Sequence, residues 1–500
     1  MKKLIITLFL LMAALPSIAQ TQFWYHGVHY EMTNSYSGTT VIVISADATT
    51  YSGTITIPEI VRAKMQANSG GGEFEKALTV VGIGYDAFNG CTGLTEVFLP
   101  STVTSVGSRA FYGCTGLTRI ELPSRLSTIG SQAFYGCSAL TSITLPKGLN
   151  DIMSEAFRGC TGLTNVTMRG TKTIGQRAFS DCTSLSNVTF SNKVNTIESQ
   201  AFSGCTSLNN VVIPNSVVTM NWNVFYGCTG LTNVTLSENA PCLLGTFSGC
   251  SALTSVTVPV GVVQIDGAFK GCTSLTSVKL PPLLNTIGSE AFDGCTSLAS
   301  IYIPNSVATI GARAFSNTAL TELELPSTVR TVNDYAFYGC NSLVAVKSRP
   351  LSPPSLYSNS FSSETFSLAT LHIPTASMSN YSTNGWWKKF ENIEGEEAYN
   401  TTYDFVSGNL TYLITGNNTV CVMGPHELSG TDLSIPASVA HNGVTYSVTA
   451  IAPDAFSNCS LESLTLPESL ITIGKHAFYQ CSGFIPHHSC QCHLYRRGGF

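Results

Sequence analysis

A mainly β solenoid, wound in units of about 23 residues with capping modules at its ends, is the fold this chain predicts. Three observations carry the prediction. The phrase Ala-Phe-Tyr-Gly-Cys-Thr-Gly-Leu-Thr-x-Ile-x-Leu-Pro-x-x-Leu-x-x-Ile-Gly recurs along most of the 500 residues. Its marks are Ala87-Phe88, Ala110-Phe111, Ala133-Phe134, Ala156-Phe157, Ala178-Phe179 and Ala201-Phe202, on to Ala336-Phe337, with returns at Ala455-Phe456 and Ala477-Phe478. Cysteines keep the same step: Cys91, Cys114, Cys137, Cys160, Cys182, Cys205, Cys228, Cys250, Cys272 and Cys295, with Cys340 resuming after one unit without. A leucine column runs in register from Leu94, Leu117 and Leu140 to Leu320 and Leu343. A fixed period in this range means stacked units, each too small to bury its own apolar face.

One unit shows why the coil forms. In Leu117-Thr118-Arg119-Ile120-Glu121-Leu122-Pro123, Ile120 and Leu122 alternate with Arg119 and Glu121, the mark of a short strand with one wet face. Pro123 ends it, because proline cannot donate to a ladder. Leu126 and Ile129 then point inward, and Gly130 makes the next turn. Ala133 and Phe134 fill the interior, and Gly136 before Cys137 permits a tight bend. Twelve such strands at about 4.8 Å predict a sheet roughly 55 Å along its stacking axis.

The cysteine total is 17. In an exported chain that suggests disulfides. The period argues for the alternative, a buried ladder of free thiols about 5 Å apart, since parallel side chains in register rarely meet disulfide geometry. Cys242 and Cys421 are off phase.

The pattern Leu-x-x-Ile/Val-x-Ile/Leu-Pro-x-x-Val/Leu-x-x-Ile-Gly-x-x-Ala-Phe-x-x-Cys resembles the treponemal, or BspA-like, class of bacterial leucine-rich repeats. The match spans roughly residues 80–350 and 445–483. The resemblance implies a leucine-rich-repeat solenoid in a surface or secreted protein. It further implies adhesion to host matrix proteins or to other bacteria.

The chain divides as follows. Residues 1–19 read as a signal peptide: Lys2 and Lys3 lead, Leu4 to Leu15 is apolar, and Ser17-Ile18-Ala19 is a small-x-small cleavage site. Residues 20–86 form a β-rich N-terminal cap, with strands at Phe23-Trp24-Tyr25, Thr40 to Ile44 and Gly53 to Pro58. The repeat array occupies 87–348. Residues 349–395 are a C-terminal cap, opened by Pro350, Pro353 and Pro354. Its last strand is Ala369 to Pro374, and Trp386-Trp387 with Phe390 close it, before a polar linker from Glu394 to Asn400. Residues 396–450 repeat the cap module, with strands at Leu410 to Ile414, Thr419 to Val422 and Leu433 to Pro436. A second array occupies 451–483, so the chain is two solenoids in tandem.

Residues 484–500 abandon the phrase. Cys490, Cys492, His487, His488 and His493 invite a metal-site reading. A one-base frameshift is the reading preferred here, because the degenerate code permits the missing phrase in the shifted frame. The DNA decides it.

Charge is sparse. Charged residues are 11% of the chain, and the net charge of −5 becomes about −7 once Lys2 and Lys3 leave. That excludes nucleic acid as a partner, which needs clustered Lys and Arg. No stretch after the leader reaches membrane-spanning length.

Chemistry is equally sparse. No histidine lies between His29 and His372, which removes Ser-His-Asp and Cys-His catalysis from the array. No H-E-x-x-H, G-x-S-x-G, Walker or Rossmann fingerprint occurs. No enzyme, cofactor or metal is expected. His26 and His29, in a strand, face opposite sides and read as structural. Glu322 and Glu324 share one strand face about 7 Å apart, a separation that glycoside hydrolysis could use. A flat site cannot desolvate the acid, so a solvated charged face is the better reading. Trp386 and Trp387 read as cap packing before sugar stacking.

The candidate ligand face is therefore the wet side of the strands. Asn165, Asn187, Asn210 and Asn233 form a polar ladder, Phe98 and Tyr302 are its exposed aromatics, and Glu322 and Glu324 its acidic end. Three functional readings follow. The leading one is an exported cell-surface or secreted protein binding a protein or glycan macromolecule, of host matrix or other cells, through this face. The others are a structural spacer displaying a lost C-terminal domain, and a glycan-capture protein using Trp386, Trp387 and the Asn/Thr strand face.

Overall fold

The structure, a computed structural model, describes residues 22–481 except 34–39, 46–50, 67–72, 358, 397–402, 417, 426–429, 442 and 458. The leader at 1–19 and the aberrant tail at 484–500 lie outside the described residues.

Each coil is held to its neighbours on three sides. The strand predicted at Leu-Thr-x-Ile-x-Leu is present in most coils, as in Arg119–Glu121, Ser142–Leu145 and Asn165–Met168, with burial alternating as expected, but no strand forms at residues 299–304, the coil of Tyr302. It pairs in parallel with the equivalent strand of the next coil, Asn165 opposite Asn187 and Val166 opposite Val188. The Leu-x-x-Ile-Gly segment forms a second parallel ladder of two-residue strands, Ser105–Val106, Thr128–Ile129, Asp151–Ile152 and onward. At the third side, the Ala-Phe-x-Gly corner, backbone N–H groups reach forward: Phe111 donates to Ala133 at 2.7 Å and Gly113 to Tyr135 at 2.7 Å. The strand segments reach backward, Thr118 to Thr95 and Ser127 to Thr104, both at 2.9 Å.

The single 55 Å strand sheet is corrected. The strand face breaks into hydrogen-bonded groups: Gly53–Thr56 to Arg119–Glu121, Ser142–Leu145 to Asn187–Thr189, Asn210–Val212 with Asn233–Thr235, Ser255–Thr257 with Ser277–Lys279, and Glu322–Leu325 to Asn392–Glu396. The longer continuity lies in the short-strand ladder, where the coils lie in close backbone contact. A Cβ on Gly130 would sit 2.4 Å from the nitrogen of Ser108. This ladder breaks once, between Thr219–Met220 and Cys242–Leu244. The cause is Pro241. Val218 donates to Asn195 and Val263 to Pro241, but Pro241 has no N–H to offer Val218.

Inside, the columns stack. Phenylalanine rings from Phe88 to Phe361 lie 5.0–5.9 Å apart and within 13° of parallel. Tyr51 closes the stack at its start, 4.9 Å from Phe88. At its end Phe361 meets the edges of Phe366, Trp387 and Phe390. Trp387 is fully buried, with its indole N–H on the carbonyl of Pro354 at 2.8 Å. Tyr381 gives its hydroxyl to Pro350 at 2.9 Å. The prolines that interrupt the phrase thus supply acceptors to the closing aromatics.

Several local expectations change. His26 lies in no strand: His26-Gly27, with φ of 48° and 78°, is the two-residue turn joining Gln22–Tyr25 to Val28–Met32. Ala369 to Pro374 is not the last strand before the linker. Asn392–Glu396 pairs with Thr370–Pro374 in parallel, so Glu394 belongs to a strand.

The segment after the linker follows the order of the leading one. Thr40–Val43 pairs in parallel with Glu73–Ile83, with a register shift between Val41 and Ile42. Thr419–Pro425 pairs in parallel with Val444–Ile451, with the same shift between Val420 and Cys421. Its own core includes Tyr412, Val420, Val422, Ile451 and Phe456.

Candidate functional site

Two long surfaces of the array carry polar side chains, and they differ in how far those side chains are already committed. At the corner, Arg109 lies 3.3 Å from Asp86 and over the ring of Tyr112, and Tyr112 stacks on Tyr135 at 4.7 Å. Arg158 covers Tyr135 and pairs with Glu155 and Asp181, both at 3.2 Å. These groups pair from coil to coil, with Arg109 Nε held at ion-pair distance from Asp86 and without a hydrogen bond of its own among the described residues. Sequence reasoning passed over this network, although the residue after each corner phenylalanine (Tyr112, Tyr135, Arg158) marked it.

The strand face is less committed. Asn165, Asn187, Asn210 and Asn233 are all exposed. Asn165 and Asn233 donate to the neighbouring Thr164 and Thr232 at 2.8 and 3.0 Å. Asn187 and Asn210 make no side-chain hydrogen bond among the described residues. The four do not form one ladder: Asn165 pairs with Asn187 and Asn210 with Asn233, in separate sheets. Phe98 is exposed at 38%, as expected. Val212, beside Asn210, is exposed at 56%, an apolar contact point the residue-type pattern did not single out.

At the C-terminal end the carboxylates are engaged. Glu322 lies 3.4 Å from Lys347, and Glu324 lies 3.0 Å from Arg349, which also holds Glu396 at 2.7 Å. His372 sits 3.1 Å from Glu396. Glu322 and Glu324 are therefore ion-pair members and not a facing acid and base.

Tyr302 departs from its expected exposure. It is half-buried, packed against Leu413, Cys421, Met423, Ala450 and Ala452 of the segment after the linker. Burial pushes its phenol well above the ordinary range, with Cys421, Glu324 and Asp404 adding to the shift. Trp387, being buried, cannot stack on a sugar, which removes it from the glycan-capture reading. Trp386 remains partly exposed with Lys389 over its ring at 4.6 Å.

The repeat cysteines stand as free, buried thiols. From Cys114 to Cys340 each donates to the phenylalanine carbonyl of the preceding coil, Cys114 to Phe88 at 3.0 Å and Cys160 to Phe134 at 3.1 Å. Burial pushes Cys114, Cys160 and Cys228 up to about 12, so they hold protons and are poor nucleophiles.

The model of the BspA type leucine rich repeat region (6 copies) matches residues 73–185, 167–267, 265–388 and 439–488. The chain belongs to the BspA type leucine-rich repeat family. A leucine-rich repeat protein from Bacteroides ovatus is 26% identical over 75% of this chain and 100% of that one, with a TM-score of 0.56. A leucine rich cell surface protein from Faecalibacterium prausnitzii is 28% identical over 65% of this chain and 94% of that one, with a TM-score of 0.45. No curated protein matches. Among the described residues of this BspA type chain, no helix is long and apolar enough to cross a membrane.

Proposed function

We propose that this chain is an exported cell-surface or secreted adhesin that binds a macromolecule, protein or glycan, through the strand face of its first array. The observation that carries the reading is the contrast between the two surfaces. From Asp86 to Asp181 the corner is bonded to itself, while Asn165, Asn187, Asn210, Asn233, Phe98 and Val212 stand exposed in repeated positions along the strands; Trp222, Tyr226 and Tyr338 are exposed corner residues outside that network. Repetition suits a partner that is itself extended, because shallow contacts along one surface add through effective concentration. The leader at 1–19 supports export, and the family match supports a binding scaffold.

The test is binding by the full mature chain to matrix proteins, whole bacterial cells and polysaccharides. Paired variants Asn187→Ala with Asn210→Ala should weaken the positive interaction about 10-fold, since loss of two partly desolvated contacts is worth roughly 1–2 kcal/mol. An Arg109→Ala control at the corner should leave it unchanged. A partner lost with Arg109→Ala and retained by the asparagine variants places binding on the corner and refutes the strand-face reading.

A further inference from the structure

The two cap-like segments allow a comparison within one molecule. Their inner faces agree: Tyr30 and Tyr412 occupy equivalent positions, as do Val41 and Val420, and all four are buried. Their outer faces do not. Registers place Glu31 and Ile42 of the leading segment opposite one another, where the later segment has Leu413 and Cys421. Glu31 and Ile42 are half-buried, whereas Leu413, Cys421 and Met423 are buried. A charged position on the leading sheet has become leucine on the later one, and the later outer face is covered.

The cover is the strand face of the first array. Leu413, Cys421, Met423, Ala450 and Ala452 form a small apolar cluster of their own, apart from the segment's inner core, and Tyr302 packs into it with Tyr403. In its column Tyr302 stands between Lys279 and Glu324, an aromatic flanked by charged positions at the C-terminal end of the face. It is thus the apolar member of that column within reach of the later sheet.

We infer that the outer face of the later sheet is a docking surface for the strand face of this chain's own first array, keyed by Tyr302. The second solenoid then closes the C-terminal end of the face, and coils before Tyr302 are left to outside partners. That last consequence rests on the strand-face reading; the docking itself does not.

Cys421 reports the contact, because its thiol lies in the docked surface and is fully buried. The full chain is treated with a maleimide at neutral pH, and labelled cysteines are located by peptide mass spectrometry. In the native chain Cys421 should label at least 10-fold more slowly than the partly exposed Cys242. Tyr302→Asp, which alters only the first array, should raise Cys421 labelling at least 10-fold while Cys272 and Cys295 stay protected. Rapid labelling of Cys421 in the native chain overturns the inference, and so does continued protection in Tyr302→Asp. If Tyr302→Asp instead unfolds its coil and exposes Cys295, the decision passes to Leu413→Glu, which restores the charge found at Glu31. Hydrogen exchange at residues 300–303 should then speed up with the ladder cysteines still protected, and unchanged exchange overturns the proposal.

Discussion

From Phe88 to Phe269 each phenylalanine carbonyl of the corner column takes two hydrogen bonds, and cysteines supply both. The carbonyl of Phe111 accepts the backbone N–H of Cys114 at 3.2 Å and the thiol of Cys137 at 3.1 Å. A carbonyl has two lone pairs, and here neither is left buried and empty. The exception tests the rule. In the coil without cysteine, Thr318 turns its hydroxyl to its own coil's Phe315 carbonyl at 2.9 Å, and Cys340 still donates to that carbonyl at 3.1 Å. A consequence for pH follows from the thiols' burial. A thiol near 9 in the unfolded chain and about 12 in the fold leaves stability intact below pH 9. Above that the unfolded state sheds protons that the native state keeps, so stability falls until the folded value is passed. Each such thiol costs roughly 1.4 kcal/mol per pH unit in that window. The denaturant midpoint should therefore drop steeply between pH 9 and 11. The triple variant Cys160→Ala, Cys182→Ala, Cys205→Ala, though weaker at pH 7, should show a shallower decline. An equal slope in both chains would sink the argument.

At the scale of the element, the two glycine positions of a coil act for different reasons. Gly271 sits at the corner with φ +70°, and an added Cβ would meet only Gly249 at 3.8 Å. Its requirement is conformational, which is why Asp181 and Asn317, residues that tolerate this region, stand at the same place with φ of 62° and 56°. Gly130 has ordinary φ, but its Cβ would strike the backbone of Ser108 at 2.4 Å. Gly271→Ala should cost about 1–2 kcal/mol and Gly271→Asn less, whereas Gly130→Ala must force two coils apart and should cost about 1–3 kcal/mol. Asparagine at 130 should be no better than alanine. Denaturation of the four variants separates strain from collision by whether asparagine rescues. These elements also show what a sequence can reveal. The leucine, phenylalanine and cysteine columns were legible because each needs one residue type in every coil. The short-strand ladder was not, since two residues cannot display alternation. The residue before each Ala-Phe was equally silent. Arg109, Gln132, Glu155 and Tyr335 share φ of 57–60° there, and no residue type announces it. The exposed asparagines were legible as a column, but their division into pairs depends on coil spacing. The seat of Tyr302 lies in contacts across about a hundred residues, where no local pattern reaches.

Over the whole molecule, stability in a solenoid is the sum of coils and of the interfaces between neighbours, so its weakest interface decides how it comes apart. One boundary stands out. Between the coil of Phe225 and the coil of Phe247 the short-strand ladder is cut by Pro241, and the strand sheet also ends, with Asn233–Thr235 and Ser255–Thr257 in separate sheets. The corner bonds remain, Phe225 to Thr246 at 2.9 Å and Gly227 to Ser248 at 2.8 Å, together with ring stacking at 5.7 Å. Phe134 has intact neighbours in the short-strand ladder, from Ser105–Val106 to Asp151–Ile152, and stacks at 5.1 Å on both sides. Removing either buried ring should cost about 3–5 kcal/mol. The chemistry is the same, and the consequence should differ. Phe134→Ala should lower the midpoint of unfolding while the array still melts as one block, because the short-strand ladder, intact on both flanks, carries the coupling past the cavity. Phe225→Ala removes the stack where ladders are already absent, so the array should melt in two steps, with exchange protection lost first on one side of Pro241. Calorimetry and hydrogen exchange on the two variants decide between this picture and a uniformly coupled rod, in which both would show a single transition.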